Sequence, residues 1–136
     1  DNKKLKYEDM ILAGHINTDH ARYELHRVWE VVGTLKDGQR NIYSKRVFHF
    51  DEDTWAILVS DLYDGRGQLW RTAESHSKYY FDAKGVMPTV EIIHDLIGKR
   101  YMANGLSNEI ANNFSFNKGF ATKDFTTAAL RRSGRR

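Results

Sequence analysis

Six histidines, with serines and carboxylates near some of them, are the residues whose types could do chemistry in this chain. His15, His20 and His26 are spaced by five and six residues. No single helix face carries all three, and the spacing fits no zinc signature. His26 and His49 become cross-strand neighbours in the hairpin described below, but two imidazoles without a carboxylate make a poor metal site. The acidic run Asp51-Glu52-Asp53 lacks the glycine and the distal glutamate of a calcium loop and reads as a polar turn. Ser60, or Ser75 beside His76, would need a nucleophile elbow, and no Gly-x-Ser-x-Gly exists. Asp61 and Glu74 could form a carboxylate pair for acid–base work. Arg46 falls diagonal to Asp61 in the expected register, however, so a structural ion pair Arg46–Asp61 is the stronger reading. No catalytic residue, metal or cofactor is assigned, and the chain is not expected to be an enzyme.

These residues sit on strands. Residues 22 to 35 are rich in Tyr, Val, Trp and Thr with period-2 alternation, which is strand chemistry. Three turn signals follow, Asp37-Gly38, Glu52-Asp53 and Gly65-Arg66, so Arg22 to Thr72 reads as a four-stranded antiparallel meander. A two-residue loop at Asp37-Gly38 pairs Lys36 with Gln39, and hence Glu30 with Lys45, Trp29 with Arg46 and Val28 with Val47. The second turn pairs Phe50 with Trp55 and Phe48 with Ile57. The third pairs Tyr63 with Gln68 and Leu62 with Leu69.

In that register one face collects Leu25, Trp29, Val31, Phe48, Phe50, Trp55, Ile57, Val59 and Trp70, with all three tryptophans together. The first strand would run about 14 residues, roughly 46 Å, and strands so long must twist and coil, which favours a barrel or half-barrel. Thr89 to Asp95 is a further strand, with Lys99 to Ala103 pairing across Leu96-Ile97-Gly98. Residues 104–121 are loop-like. Asp124 to Arg132 reads as a short helix capped by Asp124 or Thr126 and stopped by Gly134.

The chain has 136 residues, enough for one domain with a real core. Its net charge of +3 is concentrated at the end: with Arg131, Arg132, Arg135 and Arg136 set aside, 17 basic residues face 18 acidic ones. A neutral body with terminal arginines argues against nucleic acid, because the positive charge is not interleaved with the aromatics. There is no cysteine, so disulfide and thiol chemistry are excluded. The longest apolar run, Trp55 to Val59, is far too short to span a membrane. The N-terminus has neither an initiator Met nor a signal-peptide core, which suggests a chain cut from something longer.

Several motifs go further. Arg22-Tyr23-Glu24-Leu25-His26-Arg27-Val28-Trp29, then Tyr43-Ser44-Lys45-Arg46, then Tyr63-Asp64-Gly65-Arg66-Gly67 with Leu69-Trp70-Arg71, and the ending Ala128 to Arg136 resemble an uncharacterised bacterial family called outer-membrane lipoprotein-sorting proteins. The resemblance runs from about Tyr7 to the C-terminus. It implies a fold similar to the carriers LolA and LolB, an antiparallel half-barrel whose apolar face is closed by helices. It also implies a longer secreted precursor of which residues 1–136 are a single C-terminal β domain, and a location in the periplasm or outer membrane of Gram-negative bacteria.

The implied partners are a lipid or other hydrophobic ligand, the rest of the precursor at the sheet edges, and an export pump of the resistance-nodulation-division type. From periodicity alone the aromatic face is first of all core. With the resemblance, Leu25, Trp29, Phe48, Phe50, Trp55, Ile57, Val59 and Trp70 become candidates to line a ligand site. The expected function is a carrier for lipids or lipoproteins. The alternative is an assembly subunit that packs its edges and aromatic face against another protein.

Overall fold

The computed structural model describes residues 5–110, 114–116 and 118–134. Arg135 and Arg136 of the expected basic tail lie outside the described residues, as do residues 1–4 of the amino terminus. Six strands form one antiparallel sheet in sequence order: β1 (Val28–Thr34), β2 (Lys45–Asp51), β3 (Ile57–Tyr63), β4 (Leu69–Tyr80), β5 (Gly85–Asp95) and β6 (Arg100–Asn104). Each strand pairs only with its chain neighbours, so the sheet is an open meander, not a closed barrel. A helical turn, α1 (Tyr7–Met10), precedes it. The helix α2 (Thr127–Ser133) follows, capped by the Thr126 hydroxyl accepting from the Ala129 N–H, with Gly134 at its C-cap and Arg131 and Arg132 against its negative end. It lies against the preceding 3-10 turn and away from the strands.

The meander is as expected, but its register is not. Val47 pairs with Val32, not with Val28, a displacement of four residues. The turn at Asp37-Gly38 does form, with the Gln39 N–H donating to the Lys36 carbonyl and Gly38 at φ 75. The strands do not resume directly after it. Leu35 bonds Ser44, so the connection is a long loop. Val28 already faces Asp51, the last residue of β2, and beyond it the backbone contact ends with the Glu52 N–H on the Arg27 carbonyl at 3.3 Å, so the first strand is seven residues long.

The second turn is also longer than two residues, closed by the Trp55 N–H on the Asp51 carbonyl and the Asp51 N–H on Ala56. The Asp51 carboxylate caps it by accepting from the Thr54 N–H at 3.0 Å and the Thr54 hydroxyl at 2.6 Å. A bulge beyond it brings Phe48 opposite Ser60 instead of Ile57, an odd displacement of three. An odd slip turns a strand over, so Val59 leaves the tryptophan face. At the third hairpin Leu62 pairs with Arg71, not with Leu69, and Trp70 is the extra residue of a bulge. Beyond Thr72 the strand continues to Tyr80, and β5 begins at Gly85, before Thr89. Pro88 lies beside the register shift of that pair, where a missing N–H costs least.

Candidate functional site

Opposed residues share a face. One face carries Trp29 and Val31 of β1, Phe48 and Phe50 of β2, Ile57 and Leu62 of β3, Ala73 of β4, Ile93 of β5 and Met102 of β6. Trp29, Val31, Ile57 and Met102 are exposed, and among the described residues no helix or strand packs over them. This is the open face. Exposed apolar residues on β1, β3 and β6, with half-buried ones on the strands between, form the kind of surface that marks binding sites.

At one end of the open face the lining changes character. The Trp70 indole N–H donates to Asp95 Oδ1 at 3.1 Å, and the Arg71 guanidinium stacks 4.2 Å from the Trp70 ring. Arg71 also donates to the Tyr43 hydroxyl at 2.7 Å, and the Tyr43 ring packs against Trp70. Asp95 is the anchor. It accepts from the Gly98 N–H at 2.7 Å and lies 3.6 Å from Arg71 and 3.7 Å from Arg100. These donors, the Gly98 amide first, hold its carboxyl below the usual carboxylate range. A Cβ at Gly98 would come within 3.1 Å of the Asp95 carboxyl and crowd it, so glycine favours that approach.

Beside this cluster, Gly33, Lys36, Arg40, Tyr43, Arg46 and Phe48 line a cavity of about 370 Å³ between the long loop and the sheet. The Arg46 guanidinium packs 5.2 Å from the Tyr43 ring and donates to Asn41 Oδ1 at 3.0 Å.

The other face is more polar and is partly covered, with Val32 and Val59 still exposed. Residues 12–27 cross it as a strap from β6 to β1. Tyr101 on β6 donates to the Leu12 carbonyl at 2.9 Å, the Tyr23 hydroxyl reaches Glu74 on β4 at 3.3 Å, and His26 meets Asp51 on β2 at 3.0 Å. Beneath the strap lie Val47 and Ile92, the latter wholly buried.

Glu74 is the hub, with His76 at 3.8 Å, His94 at 3.5 Å and the Tyr23 ring edge-on to His76. The two imidazoles, His76 foremost, hold its carboxyl below the ordinary glutamate value. Burial, and then the Glu74 charge, push the Tyr23 phenol up. Asp51 is likewise lowered, by the Thr54 hydroxyl first and His26 after it.

Of the eight lining candidates, Trp29, Phe48, Phe50, Ile57 and Trp70 share the open face. Val59 lies opposite His49 and Glu74 on the strap face. Leu25 is in the strap and fully solvent-exposed, and Trp55 is in the second turn at φ 59, outside any strand. The expected ion pair between Arg46 and Asp61 does not form. Arg46 is opposite Leu62 on the open face, while Asp61 is opposite Val47 on the strap face and accepts from the Thr72 hydroxyl at 2.9 Å. The same odd slip that moved Val59 separates them.

Trp70 reaches the open face because its bulge undoes that slip locally, a device that alternation alone does not reveal. Ser75 and His76 are neighbours on one strand, so their side chains take opposite faces. Among the described residues no three or more His, Cys, Asp or Glu side chains are grouped to hold a metal ion. No helix among them is long and apolar enough to cross a membrane.

A family of proteins of unknown function, DUF1329, matches residues 1–131. The chain belongs to this family. An uncharacterised Pseudomonas aeruginosa protein is 51% identical over 134 residues, which cover 98% of this chain but 30% of that protein. The chain therefore spans under a third of the length of that relative. Two crystal structures share the fold. A DUF1329 protein from Desulfovibrio piger superposes with a TM-score of 0.52 at 19% identity, over 76% of this chain and 40% of its own. A domain from Vibrio parahaemolyticus, whose assignment to outer-membrane lipoprotein sorting is itself provisional, gives 0.53 at 20% identity, over 79% and 43%. The two structures, at 20% and 19% identity, speak to the open antiparallel fold alone.

Proposed function

We propose that this chain is part of a non-catalytic carrier that binds lipids, lipoproteins or other hydrophobic molecules against its open face, in the periplasm or at the outer membrane. The observation that carries the reading is the open face itself, with Trp29, Val31, Phe48, Phe50, Ile57 and Met102 on strands β1, β2, β3 and β6 of one sheet and, among the described residues, no helix or strand over them. Each methylene of an acyl chain removed from water there is worth roughly 0.8 kcal/mol. The fold shared with the Vibrio parahaemolyticus domain supports it. On this reading an export pump of the resistance-nodulation-division type is a partner that would handle the same cargo, as the family resemblance implies.

The polar residues favour binding over catalysis, because Glu74, His76 and Tyr23 are engaged in holding the strap. Native mass spectrometry of the protein from its host tests the reading: a co-purifying lipid supports it. A second reading is favoured by the relative of which the chain covers 30%. In it the open face packs against further parts of a longer protein. A lipid-free protein with a stoichiometric protein on that face would replace the first reading by the second.

A further inference from the structure

Resting on the carrier reading, we propose that the cavity beside Arg46 is the head-group subsite of that carrier, and that its ligand is an amphiphile with an anionic oxygen head, such as a phosphate, whose tail lies along the open face.

Three observations carry this. First, the cavity wall bears Lys36, Arg40 and Arg46 and no carboxylate. None of these three side chains has an acidic partner within 4 Å among the described residues, although the chain has nearly as many acids as bases. Unpaired cations converging on one concavity create a field that attracts an anion. Arg46 is held in place by Tyr43 and Asn41, so little rotamer freedom is lost when it binds. Tyr43 accepts from Arg71 and keeps its own hydroxyl proton for a further acceptor.

Second, the cavity is continuous with the apolar surface. Phe48 lines it, and the Phe48 and Phe50 rings lie 6.2 Å apart along the same strand, leading away from the cations. Charge at one end and aromatic surface beyond it match an amphiphile, not a free anion or a neutral oil.

Third, Gly33 faces Arg46 across the strand pair and, like it, lines the cavity, where it contributes no side chain. A Cβ at Gly33 would meet only the Arg46 carbonyl oxygen, at 4.0 Å, and its φ is not in the left-handed region. Nothing in the backbone requires glycine there. Valine would suit the strand better, so the missing side chain serves the cavity.

Calorimetric titration of the full chain with monodecyl phosphate, decanol and inorganic phosphate, all below micelle formation, tests this. Monodecyl phosphate should bind at least about tenfold more tightly than decanol at low salt, with the advantage shrinking as salt is added. Gly33→Val and Arg40→Gln should each reduce that advantage severalfold and leave decanol binding unchanged, with unaltered thermal midpoints to show intact folding. Equal binding of the two decyl compounds, by a protein that binds both, overturns the head-group subsite and leaves the carrier reading standing. Inorganic phosphate binding as tightly as monodecyl phosphate overturns the link to the open face. Failure of both decyl compounds to bind removes the carrier reading and this inference with it.

Discussion

On the strap face Val47 and Ile92 are buried and the carboxylates of Asp51, Asp61 and Glu74 all have partners, whereas on the open face Trp29, Val31, Ile57 and Met102 stand in solvent. Both surfaces belong to the same six strands, so propensity and hairpin geometry cannot explain the difference. What differs is the covering element. The strap supplies the strap face with hydrogen-bond partners and apolar cover. The open face is left to gain its burial from something that binds. Stability should therefore be concentrated on one face and ligand affinity on the other.

The sharpest way to break this comparison is a pair of core truncations. Ile92→Ala should cost about 2–5 kcal/mol in urea unfolding, because the side chain is fully buried, while Met102→Ala on the open face should cost under about 1 kcal/mol. Equal costs would mean that the open face carries stability after all. Next in size, Glu74→Gln weakens the hub and should cost about 1–2 kcal/mol, with faster hydrogen exchange confined to residues 12–27.

Phe48→Ser should change stability little and weaken binding of an apolar fluorescent probe severalfold. A loss of stability without a loss of binding would reverse the assignment. Alkali, not acid, should tell the two faces apart, because Asp95 on the open face has a lowered folded value as Glu74 and Asp51 do. Glu74 and Asp51 have lowered folded values, so their contribution is complete above about pH 4 and is lost as the pH falls through those lowered values. Tyr23 has a raised folded value, so its contribution is present below about pH 10 and lost above it. Strap release, read from Tyr23 and His76 chemical shifts, should appear at both extremes with the strands still paired. Smallest of all, Asp61→Asn should leave the environment of Arg46 untouched, since the two occupy opposite faces.

Much of this was legible in the chain and some was not. Alternation and turn residues located the strands of the meander, the β5–β6 hairpin and the Thr126-capped helix, although the β5–β6 turn also takes in Lys99, so that Asp95 pairs with Arg100 and the strand runs Arg100–Asn104. Register was less accessible. Asp37-Gly38 is a real turn, but it closes a lobe inside a loop from Leu35 to Ser44, and a short-range signal cannot say that the strands wait longer before pairing. That displacement of four kept each side chain on its face, whereas the bulge in β3 did not, which is why Phe48 and Trp29 were placed correctly and Val59 and Asp61 were not. The strap looked like strand because Tyr23 and Leu25 alternate with polar residues. Only the partners of Tyr23 and His26, distant in sequence, decide that it crosses the face instead.

Those distant partners also set an order of events. Every hairpin of the meander joins neighbours in sequence and can close soon after it is made. The strap cannot. Tyr7 reaches Leu106 across 99 residues and Leu12 reaches Tyr101 across 89. During synthesis residues 5–27 emerge before the sheet: His26 can meet Asp51 once β2 is made and Tyr23 can meet Glu74 once β4 is made, but Leu12 has no partner until β6. For that interval the strap face is only partly covered, and a molecule able to bind the open face could occupy the uncovered part as well.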